Sequence, residues 1–361
     1  MATITSSRAR WAGLTAGALS VLILGACSSS GTTTGSGGTS GGGSALSGTL
    51  NGSGSSFQLT FQQQAISNFK TVQPSMTVNY GGGGSGKGRT DLASGVVNFA
   101  GSDSPIPAAE QANFKGKTVL YFPVVIGPIT MSYNLSGVSN LKLTPTVIAG
   151  IFQGKITTWN DPAIKSLNPG AHLPGTHITL AVRSDSSGTT QNFSLFLQKA
   201  VGSAWTLGSS STIKWPSTAR AASGNSGVAQ VIKSTPGAIG YVDFADAKAT
   251  GLSFASVKNA AGSYVAPSPG SASAAASGVT VAPNLTFHAV WVSGAGAYPI
   301  TYQSWDLVYQ KQANANDAAM LKAYLGYLLG KGQSLLPSLG YAALPASIDA
   351  KAKAQLDKIS G

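Results

Sequence analysis

Along residues 48–133 the spacing of apolar positions changes period several times. Residues 48–50 are short and strand-like and run into Gly52-Ser53-Gly54-Ser55-Ser56. Phe61, Ala65 and Phe69 then recur every four residues, so residues 57–70 predict a helix with one apolar face. Residues 72–80, with Val72, Thr77 and Val78, predict a second strand that ends in the glycine run Gly81 to Gly84, followed by Ser85-Gly86-Lys87-Gly88-Arg89 and a polar-apolar stretch to Val96. Residues 97–100 predict a third strand, which enters Gly101-Ser102-Asp103-Ser104-Pro105 ahead of a helix over 108–114. Residues 118–126 and 129–133 are almost entirely apolar and predict a pair of buried strands. Strands alternating with helices through short glycine-rich turns predict open α/β layers, whose ligands bind beyond the carboxyl ends of the strands.

The second half repeats this pattern. Helices are predicted over 146–152 and 191–200, strands over 178–183 and 238–242, and a polar loop over 184–190, which together imply a second α/β lobe. Residues 255–282 are rich in Ala, Gly, Ser and Pro and read as a surface insertion. A strand over 306–309 and a helix carrying Leu321, Leu325, Leu328 and Leu329 close the chain.

The beginning of the chain follows different rules. Arg8 and Arg10 precede an apolar stretch over 11–24, long enough for a signal-peptide core and short for a membrane span. It ends in Leu24-Gly25-Ala26-Cys27, which resembles the lipobox of bacterial lipoproteins, where the leader is cut before a cysteine that then carries lipid. Cys27 is the only cysteine, so disulfides within the chain and multi-cysteine metal sites are excluded. Residues 28–43 are only Gly, Ser and Thr and have nothing to bury. As a flexible tether of about 20 residues they would hold a domain on the order of 25 Å from an anchor.

Only 9% of the 361 residues are charged, yet 23 are basic and 11 acidic, for a net +12. Such a surface attracts anions in general. Beyond the leader the arginines are Arg89, Arg183 and Arg220, without the basic run expected of a nucleic-acid binder.

Two loops carry candidate chemistry. Gly81 to Lys87 approaches the P-loop pattern, but Gly88 stands where a magnesium-ligating hydroxyl is required, which argues against nucleotide hydrolysis. An anion cradle of amides plus a serine remains, and so does a plain flexible turn. In Arg183-Ser184-Asp185-Ser186-Ser187-Gly188-Thr189-Thr190 a guanidinium precedes a hydroxyl-rich helix start and suits a tetrahedral oxyanion. Asp185 or Ser187 can equally cap the helix while Arg183 pairs with Asp185, and the two arrangements are compatible. His172, His177 and His288 show no metal-binding or triad pattern.

These loops resemble, in order, the blocks of the extracytoplasmic phosphate-binding protein of the bacterial ABC phosphate importer. The resemblance spans Gly48 to the C-terminus. It is carried by Gly52 to Phe57, Asn79 to Gly86, Phe99 to Pro105, Arg183 to Thr189, Ile213-Lys214-Trp215-Pro216, Pro236 to Val242 and Tyr298-Pro299-Ile300-Thr301. It implies a two-lobe, periplasmic-binding-protein-like (type II) α/β fold with hinge crossover strands. The expected boundaries are a leader over 1–26, a lipidated Cys27 and tether over 27–47, lobe 1 over 48–127 plus 302–361, and lobe 2 over 128–301.

The resemblance further implies phosphate contacts from Ser56, the Phe57 amide, Ser85, Asp103, Arg183, Ser187, Gly188 and Thr189. Ser56 stands where the family often has Thr. Gly86-Lys87 replaces a more neutral pair, leaving Lys87 either near the cleft or in solvent. Implied partners are inorganic phosphate, the importer's permease subunits with their cytoplasmic ATPase, and the membrane through the lipid on Cys27. No cofactor, metal, nucleic acid or catalysis is implied, and a monomer is expected on the extracytoplasmic face of the membrane. Among the expected contacts Asp103 is the acceptor for a phosphate proton, which sulfate lacks. A binder of sulfate, molybdate or tungstate, and a secreted phosphatase, are the alternative readings.

Overall fold

The structure, a computed structural model, describes residues 46–361. The expected leader, Cys27 and nearly all of the tether lie outside the described residues. From the start of the described chain, β1 (Gly48–Gly54), α1 (Leu59–Val72), β2 (Met76–Gly81), α2 (Ser85–Ala93) and β3 (Phe99–Ser102) follow one another, then β4 (Val119–Tyr133). Phe61, Ala65 and Phe69 bury the predicted face of α1. Strands β2, β1 and β3 are parallel, so the loops that leave their carboxyl ends emerge on one edge. The stretch behind Pro107 is a 3₁₀ helix, Ala108–Phe114, rather than an α-helix.

Residues 119–133 form one strand rather than the predicted pair. The Gly127-Pro128 step, which separates the two predicted strands, lies where β4 changes partner. Residues up to Pro128 pair antiparallel with β12, and from Ile129 onward the strand pairs with β8. A proline at that junction removes no bond from either ladder.

The chain continues through β5 (Lys142–Leu143), α3 (Pro145–Phe152), α4 (Pro162–Lys165), β6 (Thr179–Arg183), α5 (Gly188–Val201), β7 (Arg220–Ala222), α6 (Gly224–Ser234), β8 (Ala238–Asp243) and α7 (Phe244–Thr250). Thr144 caps α3 by accepting from Val147 N, with Pro145 at the first turn. Next come β9 (Ser253–Phe254), β10 (Ser256–Lys258), β11 (Tyr264–Val265) and α8 (Pro269–Ala276). The stretch 255–282 is therefore not a bare surface insertion. Ala255, Val257, Ala272, Ala275 and Ala276 are buried, and the small side chains let α8 lie close against β4.

The last elements are β12 (Thr301–Tyr309), α9 (Ala315–Leu329), α10 (Leu336–Leu339) and α11 (Ala346–Gln355). Strand β12 begins five residues before its predicted start because Thr301, Gln303 and Ser304 are polar yet fully buried.

The main sheet runs in the order β2-β1-β3-β12-β4-β8-β6-β7, with β9 also on β4, and a small sheet holds β11-β10-β5. Two chain segments cross between its halves. One is β4 at Pro128–Ile129; the other enters β12, where Ile300 O accepts from Ile129 N at 2.8 Å and Tyr298 Oη donates to Ile129 O at 2.9 Å.

Candidate functional site

Four loops meet where the two halves face each other. After β1, Ser55 is fully buried; its Oγ donates to Asp103 Oδ1 at 2.5 Å and accepts from the amides of Phe57 (3.1 Å) and Gln58 (3.4 Å). After β2, Gly84 is the N-cap of α2 with φ +92°, a left-handed conformation that favours glycine. It brings Ser85 to Asp103, whose amide donates to Ser85 Oγ at 3.1 Å while that hydroxyl lies 3.3 Å from Oδ2. After β3, Asp103 itself is 1% exposed. Arg89 of α2 steadies this loop: it forks onto Glu110 at 2.6 and 3.0 Å and donates to Ser102 and Ser104, on either side of Asp103.

The fourth loop follows β6. Arg183, 5% exposed, donates from Nε to Asp185 Oδ1 at 2.8 Å, pairs through Nη2 with Asp185 Oδ2, and reaches Thr189 Oγ1 from Nη1 at 3.3 Å. Ser187 Oγ accepts from Thr190 N at 3.1 Å and caps α5, whose first residues are Gly188 and Thr189. Helix capping and an arginine-aspartate pair therefore coexist with convergence on the other loops.

The halves are in contact. Gly86 N donates to Ser186 O at 2.9 Å, and Asn192 Nδ2 donates to Asp103 O at 2.7 Å. A Cβ on Gly188 would lie 2.3 Å from Ser85 Oγ and 2.7 Å from Asp103 Oδ2, so no other residue permits this approach. Asn225, from the start of α6, bridges to Ser56 Oγ.

All eight expected residues are buried and brought together: Ser56, Phe57, Ser85, Asp103, Arg183, Ser187, Gly188 and Thr189. Lys87 is not among them. Its half-exposed side chain binds Asp91 at 2.6 Å, one turn along α2. The histidines join no cluster of three metal-ligating residues among the described residues.

Sequence reasoning missed a buried polar chain behind Asp103. Ser304 Oγ donates to Asp103 Oδ1 at 2.5 Å and accepts from Gln58 Nε2 at 2.7 Å. Gln62 Nε2 bonds Gln58 Oε1 at 2.9 Å and Asp306 at 3.0 Å, and Tyr324 Oη donates to Gln62 Oε1 at 2.5 Å. Asn225 was also missed, although Val228, Ala229 and Ile232 mark the buried face of its helix.

Burial pushes the Asp103 carboxyl above the ordinary carboxylate range, against the hydrogen bonds from Ser304, Ser55 and Ser85 and the charge of Arg183. Burial would lower the Arg183 pKa, but its bond and charge pairing with Asp185 hold it above its usual value. For Asp185 the same pairing outweighs burial and keeps the carboxyl below its usual range. Burial also raises Asp306, to about 7, opposed by Gln62 and Gln58. The cleft thus offers one committed cation, many hydroxyl and amide donors, and one acceptor carboxylate whose Oδ2 carries only a single long contact.

A profile of the PBP superfamily domain matches residues 38–331. Phosphate-binding protein PstS 3 of Mycobacterium tuberculosis is 34% identical over 360 residues, which cover 95% of this chain and 96% of the relative. The chain belongs to the phosphate-binding PstS family. Another family member, PstS of Xylella fastidiosa, is 35% identical over 308 residues, 83% of this chain and 82% of its own. In fold the chain also matches PfluDING, a high-affinity periplasmic phosphate-binding protein solved with phosphate bound, with a TM-score of 0.70 at 22% identity over 85% of this chain and 94% of that one. The two-lobe architecture expected of the family is the one observed.

Proposed function

We propose that this chain binds inorganic phosphate outside the cytoplasmic membrane and delivers it to the permease of an ABC importer. The observation that carries this reading is the pairing of Arg183 with a hydroxyl-rich helix start on one side of the cleft and the lone acceptor Asp103 on the other. Hydrogen phosphate has oxygens that accept and one O–H that donates. The hydroxyls of Ser56, Ser85, Ser187 and Thr189, the amides of Phe57 and Gly188, and the Arg183 guanidinium serve the oxygens.

Asp103 takes the proton. Ser55 and Ser304 already donate to Oδ1, so Oδ2, which faces Gly188, is the oxygen with capacity to spare. A fully ionised sulfate would face that carboxylate with no proton between them, at a cost of several kcal/mol for the unpaired contact. No bond is made or broken, so the protein is a receptor and not an enzyme.

Lobe 1 is taken as 48–127 with 302–361 and lobe 2 as 128–301. The change of partner along β4 at Pro128 and the start of β12 at Thr301 support these limits. Closure of the lobes about these crossings would trap the anion. The lipobox-like Leu24 to Cys27 and the tether support lipid anchoring at Cys27 on the extracytoplasmic face; in this reading the chain acts as a monomer. Calorimetric titration of the full chain in detergent tests the reading: phosphate should bind tightly with one site per chain. Absence of phosphate binding, or tighter binding of sulfate, molybdate or tungstate, would contradict it.

A further inference from the structure

Asn225, fully buried at the start of α6, touches hydroxyls from both sides of the cleft. Its backbone N–H donates to Ser56 Oγ at 3.3 Å, and its Nδ2 donates to the same oxygen at 3.2 Å and to Thr189 Oγ1 at 3.3 Å. Its Oδ1 is buried without a hydrogen-bond partner. Which end of a carboxamide is oxygen is assigned from the surrounding bonds, and the orientation here turns Nδ2 toward both hydroxyls. A backbone N–H can only donate, so Ser56 Oγ is already an acceptor. A guanidinium can only donate, and Arg183 Nη1 donates to Thr189 Oγ1. With Nδ2 added to both oxygens, the single proton of each hydroxyl is left for a further acceptor. Turned the other way, Oδ1 would take those two protons out of the cleft.

Resting on the phosphate reading above, we propose that Asn225 is a positioning residue of the site. By donating to Ser56 Oγ and Thr189 Oγ1 it commits both hydroxyl protons to the anion. Because Ser56 follows β1 and Asn225 and Thr189 belong to the opposite half, the bridge forms only when the halves close. Asn225 therefore couples donor orientation to closure, whereas Arg183 and Asp103 supply charge and proton recognition.

The test compares Asn225→Ala with Asn225→Asp, a replacement of the same shape whose ionised form can only accept. Phosphate affinity of each full-length variant, relative to wild type at the same pH, is measured by calorimetry from pH 8 down to pH 5. The ratio removes the titration of phosphate itself and of groups common to all the proteins. Those around position 225 are Asp185, whose Oδ1 accepts from Gly224 N, its partner Arg183, and Asp103 and Tyr302 from lobe 1. At pH 8 Asn225→Ala should lose about tenfold, near 1.4 kcal/mol, and Asn225→Asp should lose considerably more. As the pH falls the new carboxyl takes up a proton and regains a donor, so its deficit should shrink toward that of Asn225→Ala.

A double-mutant cycle with Ser56→Ala serves if Asn225→Asp does not fold. Combined losses smaller than the sum of the single losses support action through Ser56, whereas additivity within about twofold overturns it. Equal losses for Asn225→Ala and Asn225→Asp at every pH, or wild-type affinity in both, also overturn the inference while leaving phosphate binding intact. A wild-type chain that does not bind phosphate overturns both readings.

Discussion

At the scale of single residues, the proposed reading divides recognition between the charge of Arg183 and the acceptor Asp103. Arg183 is held by Asp185 and is ready to meet an oxyanion without reorganising, so Arg183→Ala should weaken phosphate binding by about 2–4 kcal/mol, as expected for a charge-assisted contact to a desolvated anion. Arg183→Lys restores the charge but not the planar fork, and calorimetry should show only partial recovery. Unchanged affinity in both variants would place the anion elsewhere.

Asp306 gives a separate prediction about stability. Its carboxyl, raised to about 7 in the folded chain, stays protonated well above its unfolded value of about 3.9. The folded state then binds more protons than the unfolded state between those values, so stability is greatest below the unfolded pKa and is lost as the pH rises through 7. This one group contributes up to about 1.4 kcal/mol per pH unit to the slope. Asp306→Asn keeps an acceptor for Gln62 and removes the charge. Its denaturation midpoint should fall less than that of wild type between pH 5 and pH 8, and parallel curves would refute the assignment.

The residues that touch the cleft were legible because they sit in compact loops: Ser56, Ser85, Asp103 and Arg183 each follow a strand in a short motif. Ser304, Asp306, Gln58 and Gln62 were not. Gln58 meets Ser304 across 246 positions, and nothing local marks a buried serine in a strand as the support of an aspartate.

Among the elements, α5 and β4 matter most. Helix α5 can approach Ser85 and Asp103 only because it begins with Gly188. Gly188→Ala should leave the phosphate-free protein with a thermal midpoint close to wild type, since Ala is a good helix former, yet lower phosphate affinity by at least about tenfold by holding the halves apart. Scattering measurements should show that this variant stays more open in saturating phosphate. Full compaction with unchanged affinity would show that the close approach is not needed.

Strand β4 illustrates why periodicity alone fell short. A run that is apolar on both faces predicts burial correctly, but the partner on each edge is a tertiary property. The Gly127-Pro128 step therefore divided one strand into a predicted pair, whereas it marks a change of neighbour. The alanine-rich stretch 255–282 misled for the opposite reason: small side chains look featureless in sequence, yet they permit the close packing of α8 on β4.

For the whole molecule, two crossings between the halves and a cleft lined from both sides suit the trap proposed above, and the proposed lipid on Cys27 would hold it at the membrane. Cys27→Ala should release normally folded, phosphate-binding protein from the membrane or block removal of the leader. Labelled fatty acid that never appears on the wild-type chain in a bacterial host would contradict the anchor.

The central claim is that the cleft recognises the proton of phosphate through Asp103, and competition tests it most directly. Phosphate binding is measured in excess sulfate for wild type and for Asp103→Asn, which keeps the shape, removes the charge and offers an NH₂ donor to a fully ionised anion. Wild type should ignore sulfate, and in the variant sulfate should compete, with phosphate affinity itself little changed because the lost charged bond is offset by lost repulsion between anions. Equal indifference to sulfate in both proteins, or a wild type that prefers sulfate, would contradict the account.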